Sequence, residues 1–465
     1  MRNLLVLVAT SLIAASFYAQ TADSSLDPTQ QLARDIFAEM IAIPSTESGV
    51  GSTPVAEAVA RRLRAAGYSD KDVHVVGPEE RKKNLIVRLG GRPGSQAKPI
   101  LLLAHIDVVE APVEQWATNP FELVEKDGYF YGRGTSDIKD GAAILAANMI
   151  RWKHEGWVPE RDIIVALTAD EEGGPANGVE WLLKANRSLI DAEYCLNTDG
   201  GDFQLRDGKP LLTTFETAEK WYSDWTLETH NPGGHSSLPR KDNAIYQLAT
   251  ALSKLQTLRF PAHLTETSSE YFRAQAKLHT GQASNDMKAA AEGDAQAIER
   301  LSEDPFYNSL LRTTCVTTMV EAGHARNALP QMARANVNCR AIPQTTVNEI
   351  EHALEQTIGD SGVTVTAAGT WTGSPESPLN HQVMAAMQKT VNSIWAGVPV
   401  VPFMETGATD GRTLRLAGIP VYAISGVFID LHDVRAHGRN ERIPVKSFYD
   451  GLEFYDRFVK TLAGK

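Results

Sequence analysis

The residues with the clearest chemistry stand where apolar runs end. His105-Ile106-Asp107 closes the run 99–104, and the carboxyl end of a buried parallel strand is where such sheets place their ligands. A histidine there can bind a metal through one ring nitrogen while an aspartate holds the other. The stretch Tyr131-Gly132-Arg133-Gly134-Thr135-Ser136-Asp137-Ile138-Lys139-Asp140 sets Asp137 on a glycine-rich turn that opens a helix, a position from which one carboxylate can bridge two cations. The run 162–168 ends in Asp170-Glu171-Glu172-Gly173-Gly174, and the run 193–197 in Asn197-Thr198-Asp199-Gly200-Gly201. A second histidine, His437, comes from Leu431-His432-Asp433-Val434-Arg435-Ala436-His437-Gly438-Arg439-Asn440-Glu441. Two histidines, three carboxylates and a spare carboxylate are what a pair of zinc ions needs, held about 3.5–4 Å apart with a water clamped between them.

The elements that must position these residues follow from periodicity. Apolar residues recur at helical spacing from 32 to 67, and within this stretch 56–66 ends in Gly67, a helix stop. Strands at 84–89, 99–104, 162–168 and 193–197 alternate with helices at 141–152 and 178–186, which predicts an α/β unit with a mostly parallel sheet. After about residue 215 the style changes. The half-buried alternation of 221–230, 313–321 and 333–341, with helices at 243–255 and 347–358, predicts a small β-α-β-β-α-β-like unit. Between its parts, 268–311 is rich in Ala, Gln, Glu and Lys with little apolar stripe, and is expected to be an inserted helical segment on the surface. From about 373 the first style resumes, with a helix at 380–395, a buried strand at 419–424 and a closing helix at 445–462. One domain, 23–215 and 373–465, is thus expected to be interrupted by a smaller α+β domain, 216–372, and the chain carries no internal repeat.

Length and composition agree with this division. The 465 residues, 43% hydrophobic and 22% charged, describe a globular chain with more than one core and exclude a disordered or collagenous one. The 45 Lys+Arg against 57 Asp+Glu give a net charge of −12, which argues against a nucleic-acid partner. At the amino end, Arg2 precedes an apolar run, 4–15, that is too short to span a bilayer. Residues 1–22 are therefore expected to be a signal peptide, with Ala19 and Ala22 as alternative last residues. The mature protein is then exported, periplasmic or secreted, with no membrane attachment. Of the three cysteines, Cys315 and Cys339 lie in strand-like runs of one region and either form a bridge or, with Cys195, are small buried residues.

Further motifs extend the pattern: Gly233-Gly234-His235-Ser236-Ser237-Leu238-Pro239, Asn327-Ala328-Leu329-Pro330, Arg340-Ala341-Ile342-Pro343 and Thr406-Gly407-Ala408-Thr409-Asp410. In this order, over the whole mature chain, they resemble the di-zinc exopeptidase and aminoacylase family that includes carboxypeptidase S, glutamate carboxypeptidase, succinyl-diaminopimelate desuccinylase and bacterial dipeptidases. The resemblance implies two zinc ions per subunit, with cobalt or manganese as substitutes. Asp137 would bridge them, His105 and Asp199 would complete one site, and Glu172 and His437 the other. Glu171 would be the general base and Asp107 would orient His105. A cis peptide is implied between Asp137 and Ile138. The interrupting domain would dimerise, and His235 would reach the active site of the other subunit to bind the tetrahedral oxyanion. Asn327, Arg340 and Gly407 would bind substrate, Arg340 by gripping a carboxylate bidentately. Asp140 departs from the family pattern, where glycine is common, and position 199 varies between Asp and Glu.

The expected activity is hydrolysis of the amide next to a free terminal carboxylate, in small peptides or N-acyl amino acids. A dipeptidase or aminopeptidase-like activity is the alternative, towards which Asp199 leans. A metal-free binding protein is a third reading, opposed by the retention of all five ligands and the base.

Overall fold

The structure, a computed structural model, describes residues 26–370 and 372–464; the expected signal segment, 1–22, lies outside the described residues. Ten strands form one large sheet. Its order is Val73–Glu79, Lys82–Leu89, Ile163–Thr168, Ile100–His105, Tyr194–Asn197, Val421–Ala423, Lys209–Glu219, Phe203–Arg206 and Phe428–Asp430, with Val400–Glu405 branching from Lys209–Glu219. The four central strands, Ile163–Thr168, Ile100–His105, Tyr194–Asn197 and Val421–Ala423, are parallel, and antiparallel pairs flank them. They are buried throughout, which is why they read as continuous apolar runs. Because they run the same way, their carboxyl ends deliver His105, the 170–172 turn and Asp199 to one edge of the sheet.

A second sheet of four antiparallel strands has the order Thr314–Ala322, Met332–Ala341, Trp221–His230 and Val363–Ala367. Helices Ala244–Leu255 and Val347–Ile358 cover one of its faces around a core of Trp221, Trp225, Leu248 and Ile350. This is the β-α-β-β-α-β-like pattern read from the sequence. Lys209–Glu219 remains in the large sheet up to Glu219, past the expected boundary at 215, because Leu212 to Glu219 are buried within it. The chain crosses between the sheets at Lys220. Among the described residues no helix is long and apolar enough to cross a membrane.

The helical spacing from 32 to 67 corresponds to two helices, Pro28–Ile41 and Thr53–Ala65, the second ending before Gly67 as expected. The intervening loop is occupied elsewhere: Ser45 Oγ donates to Ile106 O (2.7 Å) and Val108 N donates to Ser45 O (3.2 Å), which holds the segment after His105 in place. The 268–311 segment is helical but does more than coat the surface. Its Tyr271, Phe272, Met287 and Leu311 form a core with Val401 and Phe403 of the large sheet, so its apolar residues are spread over four short helices rather than one stripe. The strand Val400–Glu405 escapes sequence reading because Pro402 interrupts it, and proline is unusual inside a ladder.

Two buried side chains fix the Asp137 turn. Lys139 Nζ donates to Met40 O and Ile43 O (both 2.9 Å), satisfying carbonyls at the end of helix Pro28–Ile41. Glu441, fully buried, accepts through Oε1 from the backbone N–H groups of Gly134 (3.1 Å), Ser136 (2.7 Å) and Asp137 (3.2 Å). Its other oxygen pairs with Arg133. Arg133 Nη2 in turn donates to Glu110 O (3.3 Å), His437 O (3.3 Å) and Gly438 O (3.1 Å). One ion pair thereby locks the Asp137 turn, the His105 loop and the His437 loop together. Gly134 sits at φ +90°, where a Cβ would meet Val108 and Lys139 at 3.0 Å, so the turn requires glycine.

Glu441→Gln should leave Arg133 buried and unpaired, lowering stability by about 3–5 kcal/mol and the affinity of the Asp137 turn for any metal ion it holds by about 10–100-fold. Chelator competition, at a temperature where circular dichroism shows the variant folded, checks this; unchanged metal affinity would contradict the clamp. Cys315 and Cys339 face each other across the edge pair and are bonded, with Cα atoms 4.1 Å apart, while Cys195 is free and buried. Unfolded without reductant, the protein should therefore titrate only the Cys195 thiol with Ellman's reagent, and all three cysteines after reduction.

Candidate active site

The structure brings together five of the residues singled out by sequence as two overlapping triads. His105, Asp137 and Asp199 form one, Asp137, Glu172 and His437 the other, and in each the ligand atoms lie within 4.8 Å of one another. Asp137 is shared: Oδ1 is 3.0 Å from His105 Nε2 and Oδ2 is 3.0 Å from His437 Nε2. His437 Nε2 also lies 2.8 Å from Glu172 Oε2. The peptide Asp137–Ile138 is cis, as the resemblance implied. Asp170, two residues before Glu172, and His437 both take positive φ, +57° and +60°, a conformation uncommon outside glycine.

Asp107 acts differently from the expectation in one respect. His105 Nδ1 faces the Asp107 backbone carbonyl at 3.0 Å, with the carboxylate farther away at 3.7 Å. The Asp107 carboxylate instead accepts from Glu171 N (3.2 Å) and Glu172 N (3.0 Å). Asp107 therefore holds His105 through Nδ1, so that Nε2 faces Asp137, and holds the double-glutamate turn against the same strand end. Asn84 supports that turn from below, its Oδ1 accepting from Ala169 N (2.9 Å).

The cluster is short of positive charge. Burial, reinforced by repulsion from Asp199, pushes the Glu171 carboxyl up to about 10. Burial likewise raises Asp199 to about 8 against the pull of His105. Although burial opposes it, Asp137 is held well below the ordinary carboxylate range by its bonds to both histidines. His437 is raised to about 10 by its bonds to Asp137 and Glu172. Even with both imidazoles protonated, only two positive charges face four crowded carboxylates, whereas two divalent cations would satisfy the same donor set with the histidines neutral and the carboxylates ionised. Oxygen and imidazole donors in two triads sharing one carboxylate fit a two-metal site.

Sequence reasoning quoted Asp410 but gave it no role. It is buried beneath the cluster, accepting from Asn177 Nδ2 (2.7 Å) and Thr168 Oγ1 (3.2 Å), and burial raises it to about 6. Arg133 and Glu441 were likewise part of quoted motifs, and the signal that singles them out, a charged pair with no exposed surface, exists only in three dimensions.

Other expected residues stand apart from the triads. His235 and Asn327 sit on or beside a small exposed ribbon, Gly234–His235 against Ala328–Leu329, where Ser236 N donates to Asn327 O (3.0 Å) and His235 Nδ1 meets Ser237 Oγ at 2.7 Å. Arg340 lies on the second sheet with its guanidinium 5.3 Å from the Tyr222 ring. Gly407 N donates to Glu405 Oε1 (3.2 Å), and Thr409, in the same segment, donates to buried Glu219. Among the described residues, no hydrogen bond or ion pair joins His235, Asn327, Arg340 or Gly407 to the five triad residues.

The chain is 29% identical over 370 residues to the N-fatty-acyl-amino acid synthase/hydrolase PM20D1 of Xenopus tropicalis, covering 78% of this chain and 72% of that protein. It is 28% identical to a probable carboxypeptidase S-like protein of Dictyostelium discoideum, with the same coverage of each chain. Its fold is similar to that of an M20 family metallo-carboxypeptidase from Sulfolobus solfataricus, with a TM-score of 0.68 at 17% identity, covering 94% of this chain and 99% of that one. Residues 101–461 match the model of peptidase family M20/M25/M40, and over that span, which holds both triads, the chain belongs to this family of peptidases and amidohydrolases.

Proposed function

We propose that this protein is an exported hydrolase that uses two zinc ions to cleave the amide bond next to a free terminal carboxylate, in N-acyl amino acids or small peptides. The observation that carries the reading is the pair of triads sharing Asp137, with Glu171 beside them and in neither. Its relatives are named as an N-fatty-acyl-amino acid synthase/hydrolase and a carboxypeptidase S-like protein, which supports a carboxylate-terminated substrate.

His105, Asp137 and Asp199 would hold one ion, and Asp137, Glu172 and His437 the other. Two divalent cations there supply Lewis-acid polarisation of the scissile carbonyl and a lowered pKa for the attacking water. Glu171, ionised once that positive charge is present, takes a proton from the water onto its carboxylate and returns it to the leaving nitrogen. Asp107, through the Glu171 and Glu172 amides, keeps base and ligand in fixed relation. Arg340 receives the substrate carboxylate, assisted by Asn327 and by the backbone at Gly407. His235 donates to the oxyanion.

His235 is exposed on a ribbon with no contact to the triads, which supports its acting on the other subunit of a dimer formed by domain 216–372. The strand Thr314–Ala322 is a free sheet edge with Val316, Met319 and Val320 exposed, a surface that invites pairing. Export is supported by the amino-terminal apolar run and by the Cys315–Cys339 bridge.

Glu171→Gln should keep both metals and lose turnover, and Glu172→Gln should lose metal. Metal analysis beside an assay on N-acyl amino acids, blocked dipeptides, free dipeptides and carboxyl-amidated peptides checks this. Cleavage of the amidated peptides as fast as the acids would remove the carboxylate requirement, and preference for free dipeptides would favour the dipeptidase reading. His235→Ala should retain metal and lose about 10²–10³-fold in rate. Mixed with Glu171→Gln protein under subunit exchange, it should regain activity, because one site of each heterodimer is then intact; a mixture that exchanges and stays inactive would contradict the cross-subunit role.

A further inference from the structure

Away from the carboxylate cluster, a cavity of about 550 Å³ opens where the inserted helices leave and rejoin the second sheet. Arg312 lines it with a side chain only 4% exposed. Its Nη1 donates to Phe260 O (3.2 Å) and its Nη2 to Ser302 Oγ (2.9 Å), while Nε has no hydrogen-bond partner. A buried donor left unpaired is costly. The nearest carboxylate, Glu299, is 3.7 Å away and is already engaged by Arg259 at 2.6 Å. Two guanidiniums therefore share one carboxylate, and burial together with Arg259 depresses the basicity of Arg312. Asn308 also lines the cavity with a side-chain amide that makes no hydrogen bond among the described residues, and Glu303 adds an exposed carboxylate at the mouth.

We propose that this cavity binds a free α-amino acid, its carboxylate supplying a second anion beside Glu299, the one carboxylate that Arg259 and Arg312 share, and its ammonium group facing Glu303. A bare anion would satisfy the arginines but meet the charge of Glu303; a zwitterion satisfies both ends. The site adjoins the crossing between the two sheets. Lys220 Nζ donates to Ser309 O and Arg312 O (both 2.9 Å) and to Thr314 Oγ1 (3.2 Å), and Thr314 stands opposite Arg340 in the sheet. The cavity thus neighbours the strand that carries Arg340, and an amino acid released by hydrolysis is one source of such a ligand. Only the identification of the ligand as a reaction product rests on the proposed function.

Calorimetric titration of the full-length, zinc-loaded protein with L-alanine, propionate and L-alaninamide tests the proposal. L-alanine should bind saturably, and the two probes lacking one charge should each bind about tenfold or more weakly, the loss expected for one charge-assisted contact. Arg259→Gln, a partly exposed position whose change spares the core, should weaken L-alanine binding by about tenfold or more. Asp137→Asn, which alters the carboxylate shared by both triads, should leave it unchanged. No saturable binding of L-alanine, equal binding of propionate or L-alaninamide, or binding that survives Arg259→Gln and disappears with Asp137→Asn would overturn the site. No arm requires turnover: a protein that binds L-alanine here and hydrolyses nothing would remove the proposed function and leave the site, and the reverse result would do the opposite.

Discussion

One carboxylate facing two imidazoles is the constraint on which the rest depends. Asp137 can meet His105 through one oxygen and His437 through the other only if the turn between strand Tyr129–Tyr131 and helix Lys139–Glu155, a strand end and a loop near the carboxyl terminus converge within hydrogen-bond reach. The parallel sheet solves part of this by geometry, since parallel strands end on one edge and present their following loops together. The remaining part is solved by buried charge. Glu441 gathers three backbone N–H groups of the Asp137 turn and pairs with Arg133, which holds the carbonyl of His437 itself. A buried ion pair is an expensive way to add stability; here it sets the register among three loops.

Crowding carboxylates at this edge has an electrostatic consequence. Glu171 and Asp199 are strongly disfavoured as anions while no cation stands beside them, so the folded chain carries a standing preference for positive charge at this place. The proposed divalent ions would convert that penalty into binding energy, and their field would keep Glu171 ionised and able to accept a proton. The same buried setting that makes the site costly to assemble would then make the proposed base effective.

Local order was the part legible in the sequence. The buried strands, the helix after Asp137 and the strand-end positions of His105, Glu172 and Asp199 follow from continuous apolar runs broken by polar turns, and the structure places them so. What was not legible depends on distant pairing. Arg133 and Glu441 are separated by most of the chain, and Pro402 disguised a strand whose neighbour is Lys209–Glu219. The inserted helices looked superficial because their apolar residues meet a core only after folding against Val401 and Phe403. His235, Asn327 and Arg340 were read through family resemblance alone, and among the described residues no hydrogen bond or ion pair connects them to the triads.

The central claim is a two-metal centre bridged by Asp137 with Glu171 free as the base. Anomalous diffraction from crystals of the zinc-loaded protein, collected at the zinc edge, tests it most directly. The account predicts two peaks about 3.5–4 Å apart, one bordered by His105 and Asp199, the other by Glu172 and His437, both touching Asp137, with Glu171 bound to neither. A single peak, or Glu171 inside a coordination sphere, would contradict it.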